Sequence, residues 1–308
     1  MNIIFFGTSE FACEALSAIH ISNHKINAVI TNPDKPRGRG KKLQESPISK
    51  LSKNLGYRII KPLNLNDSKF INNITFENVE LFVVVEFKIL PEVVLEIPPN
   101  GIVNLHASIL PQYRGAAPIQ YALMNGDEKT GVSTFFINQY VDTGSIIDQK
   151  ECTISQQDDF GSLYKKLAII GSNLLVKSID KIERNEVVLQ EQCKKNITYA
   201  PKITKKDCKI NWNLKSSIIF NLIRSISPSP GAFTYFRNKK IFIYKAKLVD
   251  KKTINNDYGT LYVENSNIYI STKDKMLQVL KLKVEGKNII TDIEFINGYR
   301  LKRGDKFE

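Results

Sequence analysis

The sequence predicts an α/β fold in which a doubly wound, mostly parallel sheet is followed by a small β-barrel. Three observations lead there. The first 60 residues alternate short apolar runs with apolar positions at helical spacing, as βαβ units do. Leu81–Val85 is a continuous apolar run of the kind buried on both faces of a parallel sheet. Beyond residue 230 the spacing switches to period two, with tight turns between short runs.

Ile3–Phe6 reads as a buried strand, Gly7-Thr8-Ser9 as its turn, and Phe11, Ala12, Ala15, Leu16 and Ile19 then share one helical face. Asn27–Ile30 is a second strand. Ser46-Pro47 has the form of an N-cap followed by proline at the first helical position. Gly56 closes the helix that carries Ile48, Leu51 and Leu55. Arg58–Ile60, Leu81–Val85, Val103–Leu105, Val132–Ile137 and Ile146–Ile147 complete the strands. Leu163, Leu167, Ile170, Leu174 and Ile179 keep helical spacing through residues 161–181. A first domain is therefore expected over residues 1–189. Residues 190–206 are polar, carry Pro201 and read as a linker. Residues 207–308 form the second domain. It has a short helix around Ile218, Ile219, Leu222 and Ile223, then a proline turn at Ser227–Gly231. Strands follow at Ala232–Arg237, Lys240–Leu248, Thr260–Glu264, Ile268–Ser271 and Leu277–Val284.

With 308 residues, 42% hydrophobic and 24% charged, the chain has the make-up of a soluble globular protein of two domains. Lys and Arg number 44 against 31 Asp and Glu, a formal charge of +13. Residues 207–308 hold 19 of those cations and 10 of the anions, so one third of the chain carries most of the surplus. Such an imbalance suits a polyanionic partner; the plainer alternative is a lysine-rich solvated surface. Cys13, Cys152, Cys193 and Cys208 are too far apart for a CxxC pair, so no metal site is expected and a reducing, cytoplasmic setting is. The run Ile3–Phe6 ends at Gly7 without a basic flank, and no apolar run approaches 18 residues; neither a secretory signal nor a membrane span is expected.

The chemistry concentrates in Asn104-Leu105-His106-Ala107-Ser108-Ile109-Leu110-Pro111-Gln112-Tyr113-Arg114-Gly115-Ala116-Ala117-Pro118-Ile119-Gln120. Asn104 and His106 lie two apart at the end of a strand, so their side chains leave the same face. Val141-Asp142-Thr143-Gly144 puts a carboxylate in a turn after another strand, within reach of the same crevice. Amide, imidazole and carboxylate together suit acyl transfer to an amine. Asn104 and His106 can donate to a developing oxyanion, and Asp142 can accept the proton the amine must lose. No G-x-S-x-G elbow exists to support a serine hydrolase.

This stretch, followed by Asp142-Thr143-Gly144, resembles the signature of the 10-formyltetrahydrofolate-dependent formyltransferases. Other segments match in order: Phe6-Gly7-Thr8-Ser9-Glu10-Phe11, Asn32–Leu43, Tyr199-Ala200-Pro201-Lys202-Ile203, Ile210-Asn211-Trp212 and Asn297-Gly298-Tyr299-Arg300-Leu301. The resemblance is greatest to members that act on initiator methionyl-tRNA. It implies a Rossmann-like formyltransferase domain, a linker and an OB-like C-terminal β-barrel that binds tRNA. It also implies catalysis by Asn104, His106 and Asp142, a folate site at Ser108, Ile109, Leu110, Pro111 and Phe87, and no metal. A monomer is expected. The alternative within formyl transfer is a small amino acceptor such as an amino-sugar nucleotide.

Three departures from the family pattern stand out. Glu86-Phe87-Lys88 replaces the usual Ala, aromatic, Gly before Leu90-Pro91. By the resemblance that stretch lines the pterin side of the folate site, so the change bears on the folate contacts. Ser9 replaces a proline, a turn change expected to matter little, and Ala107 and Ile109 are mild variants of the signature. Arg37–Lys42 lies among glycines and prolines and is expected to be a flexible arm reaching the acceptor stem, with Arg39, Lys41 and Lys42 as contacts. Arg114 is expected to brace its turn, and Trp212 to anchor packing.

Overall fold

The structure, a computed structural model, describes the chain apart from residues 38, 39, 41, 76, 77, 254–256 and 303 and the side chain of Arg37. It opens with β1 (Asn2–Gly7), α1 (Glu10–His20) and β2 (Lys25–Ile30), where the apolar alternation places them. Ser9 caps α1, its hydroxyl accepting from the Ala12 amide at 3.3 Å. Next come β3 (Lys35–Arg37) and β4 (Lys42–Gln44), an antiparallel pair. The expected open arm is thus hairpin at its base, where paired backbone groups outweigh a loop-like composition. Lys42 is exposed on it; Arg39 and Lys41 lie outside the described residues. α2 (Pro47–Asn54) begins at the Ser46 cap as the Ser-Pro signal requires.

β5 (Ile59–Ile60), α3 (Ser68–Thr75), β6 (Leu81–Val85), α4 (Glu92–Leu95), β7 (Ile102–His106), α5 (Pro118–Asn125), β8 (Lys129–Phe136), β9 (Ile146–Thr153) and α6 (Phe160–Glu183) follow. The sheet order is β5-β2-β1-β6-β7-β8-β9. Strands β5, β2, β1, β6 and β7 run parallel, and β8 runs antiparallel to β7. The order turns back between β1 and β6, and the crevice outside such strand ends is where open α/β sheets bind ligands. Ile4, Phe6, Phe82, Val84 and Ile102 bury one face of this centre. Each such side chain contributes about 1.5–3 kcal/mol by leaving water, which holds the strand ends in fixed register.

After α7 (Ser216–Ser225) the second sheet is antiparallel: β10 (Ala232–Phe236), β11 (Lys239–Lys252), β12 (Leu261–Glu264), β13 (Asn267–Ser271), β14 (Lys275–Val284) and β15 (Ile289–Thr291), with α8 (Asp292–Tyr299) behind them. Its order is β10-β11-β14-β13-β12, with β15 on β14. The two outer strands would present unpaired edges. Residues 305–308 lie along both. Glu308 exchanges backbone bonds with Tyr235 of β10 at 2.9 and 3.1 Å, while Leu261 donates to Asp305 at 2.8 Å and Phe307 to Gly259 at 2.9 Å on the β12 side. That last segment closes the sheet into the barrel that the period-two runs predict. Phe307 stacks on Trp212 at 5.9 Å and meets Phe236 edge-on at 5.7 Å, so Trp212 is the packing anchor expected of it.

Contacts divide the chain into two compact units, residues 1–118, 130–153 and 164–200, and residues 119–129, 154–163 and 201–308. Among the described residues no helix is long and apolar enough to cross a membrane.

Candidate active site

Asn104 pairs with Val84 on one side and Phe135 on the other, so its position continues the face that buries Val84 and Ile102. His106, two residues on, ends the strand. Its Nε2 lies 2.9 Å from the Tyr113 carbonyl. A carbonyl only accepts, so Nε2 carries the proton and Nδ1 of the neutral ring presents a lone pair. Nδ1 stands 3.9 Å from Asp142 Oδ2, with the His106 side chain 9% and the Asp142 side chain 12% exposed. Asp142 Oδ2 also accepts the Gly115 amide at 2.8 Å. The carboxylate is therefore held from one side and faces the imidazole on the other.

Two glycines make that approach possible. A Cβ on Gly144 would lie 1.7 Å from the Phe136 carbonyl oxygen, so no side chain fits where the Asp142 loop crosses β8. Gly115 has φ +119°, and a Cβ there would meet the Ala200 carbonyl at 2.7 Å. Within the loop, the Asn138 amide oxygen accepts from the Tyr140 amide at 2.9 Å and the Thr143 hydroxyl at 2.8 Å.

The polar stretch read as a linker supplies the outer support. Gln192 donates to the Asp142 and Gly144 carbonyls, each at 2.9 Å, and its Oε1 accepts from Arg114 at 2.7 and 3.0 Å. Thr198 accepts from the Tyr113 and Arg114 amides at 2.8 and 2.9 Å. Arg114 thus braces its turn as expected, but nothing in the sequence pointed to Gln192. Its partners are 48 and more residues away, and no local motif marks it. The recurring Tyr199-Ala200-Pro201 was the nearest signal.

Ser108 and Leu110 are buried and engaged within the fold. The Ser108 hydroxyl donates to the Gln112 carbonyl at 2.6 Å; Ser133 donates to the Ser108 carbonyl and accepts the Leu110 amide; Gln149 donates to the Leu110 carbonyl. Ile109 and Pro111 of the same segment are half-buried. Phe87 is half-buried against Phe6, ring centroids 5.6 Å apart. Ile89, Val93, Tyr140 and Val141 are exposed on the segments after β6 and β8.

At the β1 end of the crevice Glu86 accepts the Tyr164 hydroxyl at 3.1 Å and is also bonded by the Ser9 hydroxyl. Ser9 is therefore more than a turn change: it caps α1 and holds a carboxylate. Crowding by protein raises the Glu86 carboxyl above its usual range, offset by those two hydroxyls and by the nearby His106. Away from this region, His24, Asp180 and Glu183 are the described residues grouped closely enough to hold a metal. They are engaged already: His24 Nε2 with Asp180 at 3.0 Å, and Glu183 with the amino terminus at 2.6 Å.

Comparison with known proteins is consistent along the chain. The formyl transferase family model matches residues 1–179, and the formyl transferase C-terminal domain matches residues 202–300. A methionyl-tRNA formyltransferase of Thermodesulfovibrio yellowstonii is 41% identical over 98% of this chain and 97% of its own length. Another, from Fusobacterium nucleatum subsp. nucleatum, is 40% identical over 99% of both chains. Among solved structures, WlaRD, a sugar 3N-formyl transferase crystallised with dTDP and 5-N-formyl-THF, superposes with a TM-score of 0.69 at 24% identity, covering 94% of this chain and 99% of that one. That likeness is one of fold.

Proposed function

The chain belongs to the formyl transferase family, and we propose that in it Asn104, His106 and Asp142 move a formyl group from 10-formyltetrahydrofolate to the amino group of methionine on charged initiator tRNA. The observation that carries the assignment of roles is the approach of Asp142 Oδ2 to His106 Nδ1 beside Asn104. The bound folate supplies an electrophilic formyl carbon and leaves as tetrahydrofolate. The Asn104 amide donates to the formyl oxygen as it gains charge. His106 can donate from Nδ1 only when both ring nitrogens are protonated, since Nε2 is committed to Tyr113. Asp142 accepts the proton lost by the attacking amine, and the folate nitrogen takes up a proton as its bond to the formyl carbon breaks. Ile109, Pro111 and Phe87 hold the folate rings, with Ser108 and Leu110 fixing the backbone that presents them.

The acceptor reading favours tRNA over an amino-sugar nucleotide. Full-length identity of about 40% is to enzymes named for methionyl-tRNA, and residues 207–308 carry a surplus of positive charge. Over the rings of β10, Lys240 lies above Phe233 at 3.9 Å and Lys209 above Tyr235 at 5.5 Å, a mixture of cations and rings suited to RNA. Residues 1–189 serve as the catalytic domain, 190–206 as the connection and brace, and 207–308 as a tRNA-binding domain. Arg39, Lys41 and Lys42 extend the tRNA surface. All three catalytic side chains come from one chain, as suits a monomer, and four cysteines scattered along the sequence suit the cytoplasm. The test is incubation with 10-formyltetrahydrofolate and either charged initiator tRNA or amino-sugar nucleotides; formylation of the sugar alone would overturn the acceptor. Alanine at Arg39, Lys41 and Lys42 should flatten the salt dependence of tRNA binding by about 0.7–0.9 log–log unit per lost phosphate contact.

A further inference from the structure

The segment Asn297-Gly298-Tyr299-Arg300-Leu301 has no part in the transfer described above. It ends α8, where the glycine is out of its usual place. Helices commonly close on a left-handed glycine; here Arg300 takes that position, at φ +46°. Gly298 lies inside the last turn instead, where glycine is a poorer helix former than alanine. Its φ is not in the left-handed region, and a Cβ there would meet no atom within 4 Å. Neither backbone strain nor crowding calls for a glycine at 298. What it preserves is space.

That space belongs to a cavity of about 780 Å³ lined by Arg237 and Lys239 of the β10–β11 turn, Lys287 of the β14–β15 turn, Glu294, Gly298 and Tyr299. The two turns stand side by side because Ile241 pairs with Val284 and the Glu285 amide donates to the Lys240 carbonyl at 3.0 Å. One face of the Tyr299 ring is stacked on Phe295, centroids 4.5 Å apart. The Lys287 ammonium stands 5.6 Å from the ring centroid, near the limit of cation–π attraction. Lys239 and Lys287 are exposed, and among the described residues neither has a carboxylate partner. The other charges of the lining are committed. Arg237 donates to both Asp305 oxygens at 2.8 and 3.1 Å and to the Tyr299 carbonyl at 3.2 Å. That last bond covers a helix-end carbonyl that would otherwise repel an anion. Glu294 accepts the Thr291 amide and hydroxyl at 2.7 and 2.9 Å, and these bonds hold its carboxyl below the usual range. An aromatic ring, two uncommitted ammonium groups and room kept by a glycine remain.

We propose that this cavity holds a nucleotide, its base laid on the Tyr299 ring and its phosphate between Lys239 and Lys287. Stacking on an aromatic ring is open to every base, and ammonium groups meet the phosphate as point charges. The chemistry is the same for an unpaired nucleotide of an RNA strand and for a free one. The RNA source rests on the tRNA-binding reading of residues 207–308; the nucleotide site does not.

Full-length protein is titrated with AMP and, separately, with charged initiator tRNA over a range of salt. Gly298→Gln is the central variant. It fills the cavity, changes no charge and replaces glycine with a better helix former, so its melting temperature should not fall. It should weaken binding about 5–100-fold, the range for one lost base stack. Lys239→Ala with Lys287→Ala should weaken binding about tenfold or more and flatten the salt dependence for tRNA by about 0.7 log–log unit, one single-strand phosphate. Tyr299→Phe keeps the ring and should bind as wild type does. Loss of tRNA and AMP together assigns the cavity to an RNA nucleotide; loss of AMP alone assigns it to a free one. If wild-type protein does not bind the tRNA, the tRNA-binding reading falls and the AMP titration decides the site by itself. Gly298→Gln binding both ligands as wild type does would overturn the proposal, even if the lysine variant binds less, since the lysines would then act only through the general positive field. Wild-type protein that binds neither ligand would overturn it as well.

Discussion

Asp142→Asn is the sharpest test of the catalytic assignment, because the structure makes asparagine the one replacement that isolates the charge. Asp142 sits at φ +54°. Asparagine enters that region several times more readily than most residues, whereas alanine pays about 1–2 kcal/mol to stay there. The Gly115 amide needs an acceptor, and the asparagine oxygen can take over the 2.8 Å bond. Its NH2 then faces the lone pair of His106 Nδ1 across the gap now measuring 3.9 Å. Shape, loop and neighbour are kept; the proton acceptor is gone. Loss of a general base costs about 10²–10⁴ in rate, which at 1.36 kcal/mol per decade is about 2.7–5.4 kcal/mol of barrier. Single-turnover formylation with saturating folate and charged tRNA measures it directly. Binding of both substrates should stay within about twofold, since the binding contacts are untouched. A variant that turns over within tenfold of wild type, or loses affinity while keeping its rate, would refute Asp142 as the proton acceptor. Asp142→Ala should be worse in both rate and stability, and the difference between the two variants reports the backbone strain and the orphaned Gly115 amide.

Asn104→Ala and His106→Ala should each cost about 10²–10³ in kcat, and the double variant should fall short of the product because both serve one oxygen; full multiplicativity would separate their roles. Gln192→Ala leaves the buried Arg114 guanidinium without its acceptor and should cost about 2 kcal/mol of stability, with a reduced kcat. Gln192→Glu should recover the stability, through the Arg114 bond, but not the two carbonyl contacts that hold the Asp142 loop. Phe307→Ala removes a fully buried ring from the segment that closes the barrel and should cost about 3–5 kcal/mol, seen as an earlier urea transition. Glu86, whose carboxyl is raised in the folded chain by burial first of all, binds its proton more tightly folded than unfolded. Between its unfolded value and the raised one, stability therefore falls as pH rises. Glu86→Gln should lack that slope, so its melting temperature should gain on wild type from acid towards neutral pH; parallel curves would mean the carboxyl is not perturbed.

The sequence alone determined what local chemistry determines. Leu81–Val85 could only be a doubly buried strand. The Ser46-Pro47 signal started α2 at that point, and Asn104 and His106 shared a face because a strand repeats every two residues. The family signature pointed to Asn104, His106 and Asp142, the three residues to which the proposed function gives the chemistry. What the sequence could not carry was anything resting on partners remote in the chain. The pairing of Lys35–Arg37 with Lys42–Gln44 rests on backbone bonds that composition argues against. Barrel closure by residues 305–308 depends on two edges that exist only once the sheet has formed. The support of Asp142 by Gln192, 50 residues on, leaves no local trace. Glu86 shows the division best. In the sequence it is an unexpected residue in a familiar stretch. In the structure the register of β1, β6 and β7 puts it level with His106, and Ser9 and Tyr164 hold its carboxylate. Periodicity and capping act over a few residues and are written in the sequence. Sites are made where strand ends from distant segments meet, and only the packing of the sheet decides which ends those are.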